Sequence, residues 1–184
     1  SFAGMGASRE VTFASIAEPA LFLCFVGLVL VTGHLSLSNM LGPALATAWP
    51  RDTASLVLVG LALFVLLLAE NSRVPVDDPA THLELTMVHE VIVLDHSGPD
   101  LALILYGSAL KLSIFAAVLV SMAAPRGALP MWAGLALLVV GLAVVAVMVG
   151  VVESVMARLR LTRVPQLIVG AGALALFGII LLLR

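Results

Sequence analysis

Charged side chains are scarce in this sequence: Asp, Glu, Lys and Arg together make up 11% of its 184 residues. Hydrophobic residues make up 62% and the mean hydropathy is +1.20, whereas about a quarter of a soluble domain is charged. No cluster of Lys or Arg occurs and the net charge is −2, so the electrostatic footprint of a nucleic-acid-binding protein is missing. The sequence indicates an integral membrane protein that binds no nucleic acid.

Cysteine is also nearly absent. Cys24 is the single cysteine, which excludes an internal disulfide, and one thiolate cannot hold an iron–sulfur cluster or a cysteine-rich zinc site. Any redox centre must therefore belong to a partner. The stretch from Ser1 to Thr12 has neither the basic start nor the apolar run of a signal peptide, and we expect that the chain begins partway into a longer protein.

Five apolar runs account for most of what is present. We predict an all-α, polytopic transmembrane protein with about five spans and a single transmembrane domain over residues 1–184, because a spanning helix needs about 20 apolar residues. Residues 1–12 are expected to be an interfacial entry, and residues 34–52 an interfacial loop with Trp49 as aromatic anchor. The predicted spans run from Phe13 to Gly33, Thr53 to Ala69, Leu101 to Ala124, Gly127 to Val152 and Val164 to Leu183.

Two ionisable residues lie inside these spans, where charge is costly. Glu18 is followed by Pro19, and it is either a functional carboxylate or an acid at the helix start that reaches the membrane interface. Lys111 lies about halfway along the third span and must face protein or water. Functional and pairing roles are compatible for this lysine.

Arginine counts give the orientation. Five spans put residues 1–12, 70–100 and 153–163 on one side, which carries five arginines, whereas the other side carries three: Arg51, Arg126 and Arg184. By the positive-inside rule the side with residues 70–100 is cytoplasmic.

The stretch 70–100 concentrates the chemistry, with seven of the eleven carboxylates and three of the four histidines. Residues that precede proline are held extended, so residues 70–78, with Arg73 and Pro75, are expected to form an ordered loop. Asp78-Pro79 is a good helix start and Gly98-Pro99 a good stop. We therefore predict a polar loop followed by a helix from Pro79 to Ser97.

On that predicted helix, Glu84 and Asp95 fall about 20° apart, and the three histidines at spacing seven fall within about 40°. Histidines seven apart lie about 10 Å apart along the axis, too far for one zinc ion, so no metal site is predicted. Spaced titratable groups on an apolar helix suit a proton relay, with His82, His89 and His96 as candidate relay groups. The structural alternative is that these side chains cap helices, pair with Arg73 or contact a peripheral subunit.

The motif Glu70-x-x-Arg73-x-Pro75-x-Asp77, the run Pro79 to Glu90 and the segment Leu94 to Gly98 resemble the membrane subunit family shared by respiratory complex I (subunit 1, or H) and the membrane-bound NiFe hydrogenases. The segment Gly6 to Glu10 and the triplet Ala17-Glu18-Pro19 also look like that family's hydrogenase and formate hydrogenlyase branch. The resemblance covers essentially the whole chain. Family members have about eight spans, so the five here look like the C-terminal part.

This resemblance implies a non-catalytic membrane anchor, without a redox centre of its own, of a formate hydrogenlyase-like hydrogenase in the prokaryotic inner membrane. It implies partners: hydrogenase small and large subunits, which hold the NiFe centre and iron–sulfur clusters, and antiporter-like subunits that translocate protons or sodium. The charged loop and ion path would be formed by Glu18, Glu70, Arg73, Asp77, Asp78, Glu84, Glu90, Asp95 and Lys111.

The alternative is the quinone-site subunit of a complex I-type NADH:quinone oxidoreductase, in which the same loop lines the quinone cavity. The complex I branch has Glu-Tyr-Ser-Gly where this chain has Asp95-His96-Ser97-Gly98. That departure favours the hydrogenase branch over quinone binding.

Overall fold

The computed structural model describes residues 2–76, 96–125, 129–156, 159 and 163–184. Within these ranges the regular structure is helical: α1 (Phe2–Thr32), α2 (Leu37–Met40), α3 (Pro43–Ala48), α4 (Thr53–Glu70), α5 (Pro99–Ala123), α6 (Met131–Val155) and α7 (Val164–Leu182). Five of these helices, namely α1, α4, α5, α6 and α7, are long and apolar enough to cross a membrane. The predicted all-α polytopic class is confirmed.

Helices α1, α4 and α7 form the main bundle. Helix–helix association inside a bilayer gains little from the hydrophobic effect and depends on close packing of small residues. The shared core accordingly includes Ala17, Ala62, Ala171 and Ala175, all at most 2% exposed. These alanines let the three backbones approach closely.

Helices α5 and α6 form a second unit. They pack against one another, and α5 attaches the pair to α4. Val120 of α5 occupies the space that a side chain at Gly141 of α6 would need. Two residues after Val120, the carbonyl oxygen of Met122 accepts a hydrogen bond from the indole Nε1 of Trp49 (2.8 Å). This bond connects the segment before α4 to the end of α5.

Several predicted boundaries were wrong. The first helix begins at Phe2 instead of Phe13, so the expected interfacial entry is helical; Gly6 is buried there, which fits a close helix contact and outweighs the low helix propensity of glycine. The expected loop at 34–52 contains α2 and α3, because Pro43 is well placed as the first residue of a helix. The fourth span begins at Met131 after Pro130.

The Gly98-Pro99 pair begins a helix in this structure. Gly98 has a positive φ of 63° and is the N-cap of α5, and Pro99 is its first residue, where the missing N–H loses no helical hydrogen bond. His96 and Ser97 are non-helical and exposed. The rest of the predicted helix, residues 79–95, lies outside the described residues.

Candidate functional site

The last turn of α4 ends in a two-bond cap that positions the charged loop. The Arg73 N–H donates to the carbonyl of Leu68 (2.9 Å), and the Ser72 N–H donates to that of Ala69 (3.3 Å). With Ser72 at φ 48°, this is the Schellman arrangement, in which the residue after the C-cap is left-handed. The chain therefore reverses sharply just after Glu70.

The described part of the predicted loop, residues 71–76, is non-helical and is held by backbone hydrogen bonds. The Val74–Pro75 peptide bond is cis, and the Val76 N–H donates to the carbonyl of Arg73 across the turn (2.8 Å). Val74 and Val76 are 5% and 2% exposed. The Leu159 N–H donates to the carbonyl of Pro75 (2.8 Å), so this loop and the connector after α6 lie at the same end of the molecule.

An ion pair joins the end of α4 to the middle of α5. The Lys111 Nζ lies 2.6 Å from Glu70 Oε2, and the two side chains are 36% and 12% exposed. A carboxylate in the last helical turn opposes the helix dipole, and the ammonium offsets that cost. Lys111 thus faces protein, as the cost of a charge in lipid requires.

A second ion pair joins the loop to α6. Arg73 Nη1 lies 3.3 Å from Glu153 Oε1, with side-chain exposures of 36% and 27%. Both groups are partly solvated, so the pair contributes at most about 1 kcal/mol to stability. Its geometric effect is to hold the loop against the end of α6.

A small pocket lies where α1, α4, α5 and α7 meet. Four polar side chains line it, and five other residues complete its wall: Phe13, Ala14, Ala17, Ala69 and Ile168. The space open to the centre of a water molecule is about 10 Å³, which is close to the minimum that one water needs. The polar lining residues are Glu10, Glu70, Ser72 and Lys111.

Asn71 is the C-cap residue of α4. In sequence it lies between Glu70 and Arg73, each of which forms an ion pair. Its Nδ2 donates to the carbonyl of Leu67 (2.8 Å). Its Oδ1 is buried and accepts no hydrogen bond from the described residues. A buried acceptor of this kind is usually satisfied by water or another donor.

The two ion pairs and the small pocket beside them are together called the charged junction. Three of the nine residues predicted for the ion path lie there: Glu70, Arg73 and Lys111. Glu18 lies elsewhere, on the exposed face of α1. His96 is exposed in the segment before α5. The remaining predicted path and relay residues lie outside the described ranges: Asp77, Asp78, His82, Glu84, His89, Glu90 and Asp95.

Sequence reasoning missed two carboxylates of the junction, Glu10 and Glu153. Glu10 was expected in an interfacial entry, yet it precedes Ala17 by seven residues, the spacing of one helical face, and Ala17 is buried. That spacing could have placed Glu10 toward the bundle. Glu153 was assigned to the connector after the fourth span, whereas α6 continues to Val155.

Comparison with known proteins agrees with this architecture. The chain is similar to hydrogenase-4 component C of Escherichia coli (strain K12), at 34% identity over 129 residues that cover 68% of the chain and 38% of that protein. It is also similar to formate hydrogenlyase subunit 4 of the same organism, at 30% identity over 173 residues that cover 90% of the chain and 55% of that protein. The chain thus spans about half the length of these relatives or less. The family described as NADH dehydrogenase matches residues 1–183, and the chain therefore belongs to this family, the one that contains the complex I subunit 1-like membrane proteins.

Proposed function

We propose that this chain is a non-catalytic membrane coupling subunit of an energy-converting, formate hydrogenlyase-like NiFe hydrogenase. The observation that carries the proposal is the Glu70–Lys111 ion pair, which lies beside a charged loop and in which the carboxylate side chain is only 12% exposed. The names of the two similar proteins support the hydrogenase setting. In this proposal the hydrogenase small and large subunits bind at the loop end, which faces the cytoplasm, and antiporter-like subunits adjoin the spans.

The chain's own residues would couple the two processes through charge. Electron transfer in a peripheral arm changes the charge near residues 71–76, and an effect on Glu70 is direct because Glu70 immediately precedes that loop. Protonation of the Glu70 carboxylate removes the negative charge that attracts the Lys111 ammonium at 2.6 Å. The Glu70–Lys111 pair would then either transfer protons along the path or change its geometry when a proton binds. In this proposal the partner subunits hold the NiFe centre and the iron–sulfur clusters.

The test uses inverted membrane vesicles that contain the whole complex. Glu70→Gln and Lys111→Met are expected to reduce hydrogenase-linked ion uptake, followed with a pH-sensitive or sodium-sensitive dye, to background. Hydrogen evolution with reduced viologen should persist, because this chain would hold no redox centre. Asp100→Asn is the matched control, since Asp100 is an exposed acid in the first turn of α5. Full ion uptake in both pair variants would contradict the proposal.

The same assay extends to the acids outside the described ranges. Glu84→Gln and Glu90→Gln are expected to uncouple ion transport while assembly survives. Unchanged transport in both would remove these positions from the proposed path.

The quinone-site function is the second candidate, and the NADH dehydrogenase description of the matching family favours it. A quinone-site blocker that inhibits electron transfer through the complex would support it. Insensitivity to such blockers, together with a NiFe subunit among the co-purifying chains, would support the hydrogenase function.

A further inference from the structure

Glu10 is the carboxylate of the junction that no pairing described above explains. It lies on α1, is half-buried and lines the same small pocket as Glu70 and Lys111. Three apolar neighbours in that pocket are Phe13, Ala17 and Ile168. A carboxylate in such surroundings is unfavourable unless a cation or hydrogen-bond donors face it.

Among the described residues that line this pocket, Lys111 is the one cation. Its ammonium has three donors on a flexible four-carbon stem, and the pair with Glu70 at 2.6 Å leaves donors free for a second acceptor. The hydroxyl of Ser72 adds a further polar group to the same wall. Lys111 can therefore turn toward Glu10 without leaving the pocket.

The size of the pocket fits a short connection. Its volume open to the centre of a water molecule is about 10 Å³, close to the minimum that one water needs, and a buried water needs two to four polar partners. Glu10, Glu70, Ser72 and Lys111 supply that number. One water can therefore bridge the α1 carboxylate to the ion pair.

We infer that Glu10 is a second carboxylate partner of Lys111 and that the ammonium alternates between Glu70 and Glu10 across this pocket. When a proton binds Glu70, the resulting carboxylic acid is neutral, and Glu10 is then the remaining carboxylate of the pocket. The ammonium moves toward it and returns when Glu70 releases the proton. This inference rests on the proposed coupling function and extends its path from α4 and α5 to α1.

Zero-length cross-linking of the intact complex in its membrane tests this geometry without a transport assay. A carbodiimide such as dicyclohexylcarbodiimide activates a carboxylate, and a contacting amine displaces the urea to form an amide. In the unaltered protein, mass spectrometry should find Lys111 joined mainly to Glu70. In Glu70→Gln it should find Lys111 joined to Glu10, and in the Glu10→Gln/Glu70→Gln variant neither product.

The outcome that overturns the inference is a Glu70→Gln complex in which Lys111 couples to no carboxylate or to one outside the pocket. If Glu70→Gln does not assemble, Glu70→Asp provides the reading, because it keeps the charge and shortens the arm. The share of Lys111 joined to Glu10 should then rise above that of the unaltered protein, and an unchanged or lower share overturns the inference.

A thermal measurement checks the same exchange independently. In the Glu70→Gln background, Glu10→Gln should lower the melting temperature of the complex, because it removes the second of the two carboxylates that line the pocket with Lys111. In the unaltered background the same change should have little effect, and equal effects in both backgrounds contradict the inference. Since neither readout involves ion uptake, a failure here is separable from a failure of the proposed function: cross-linking without coupled transport refutes only the latter.

Discussion

Lys111 is near the middle of α5, yet its ammonium lies 2.6 Å from the carboxylate of Glu70, the last residue of α4. The two helices run antiparallel, since Leu56 and Val57 of α4 line a crevice with Met122 and Ala123 at the other end of α5. Lys111 lies twelve positions after Pro99, so the first half of α5 extends about 18 Å beyond the end of α4. This overhang is what brings a mid-helix lysine to a helix-end carboxylate.

This pairing predicts unequal costs for its two partners. Lys111→Met leaves Glu70 and Glu10 without a cation and should destabilise the protein by about 1–2 kcal/mol, the upper range for polar contacts between membrane helices. Glu70→Gln should cost less, because Glu10 can still accept from Lys111. The Glu70→Gln/Lys111→Met variant should be more stable than Lys111→Met alone, since the double change does not leave the Glu70 carboxylate, which is 12% exposed, without its partner.

The midpoint of heat-induced aggregation of the purified complex in detergent measures this series. Asp100→Asn is the control and should leave the midpoint unchanged. A double variant that loses the sum of the two single effects would show that Glu70 and Lys111 do not interact.

Ser72 gives a prediction in the opposite direction. Its φ of 48° lies in the left-handed region, which costs a non-glycine residue about 1 kcal/mol. Ser72→Gly should therefore raise stability by up to about 1 kcal/mol, because glycine adopts this conformation freely. Thermal midpoints of the variant and the unaltered complex test it.

Ser36 is the matched control for this change. Its backbone is extended, at φ −81° and ψ 127°, so glycine there adds freedom to the unfolded chain and removes the exposed hydroxyl contact with Ser38 (3.4 Å). Ser36→Gly should leave stability unchanged or lower it slightly. A similar response of both serines to glycine would show that the cap of α4 stores no backbone strain.

The fold could be predicted largely from hydropathy, because span number and type depend on the apolar content of each segment alone. The non-helical course of residues 71–76 could also be predicted, since Pro75 restricts Val74 locally. The ion pairs could not be predicted from the sequence. Glu70 and Lys111 were both candidate path residues, but their contact depends on how far α5 is shifted along α4, and no local sequence pattern determines that shift. Glu10 was overlooked because Gly4 and Gly6 beside it favour a non-helical start.

The Arg73–Glu153 pair is expected to position the loop more than it stabilises the fold. Both side chains are more than a quarter exposed, so Glu153→Gln should lower the free energy of unfolding by less than about 1 kcal/mol. The loop nevertheless loses its side-chain contact with α6. Spin labels at Ser72 and Ser154 should then report a broader distance distribution.

Charge exchange supplies the control for this pair. Arg73→Glu with Glu153→Arg should narrow the distribution again, whereas Arg73→Glu alone should broaden it further by placing two carboxylates together. An identical distribution in all three variants would mean that the backbone bond from Leu159 to Pro75 suffices to hold the loop.

Gly178 lies where α7 packs tightly on α4. A Cβ atom there would lie 3.1 Å from the backbone carbonyl oxygen of Ser55 and 3.1 Å from Val59 Cγ2, and backbone cannot move aside as a flexible side chain can. Gly178→Ala should therefore separate the two helices and lower stability by about 1–3 kcal/mol, as overpacking of a core does. The pocket beside Glu70 and Lys111 should change shape as well, because Ile168 of α7 lines it.

Gly170 on the same helix provides the comparison for Gly178. A Cβ atom at Gly170 meets nothing within 4 Å, so Gly170→Ala gains the better helix propensity of alanine, worth up to about 1 kcal/mol. The two substitutions are chemically identical and should shift the thermal midpoint of the complex in opposite directions. If both raise it, α7 does not pack on α4 at the distance that the structure shows. If both lower it, the outward face of α7 at Gly170 is in contact with another surface in the assembled complex.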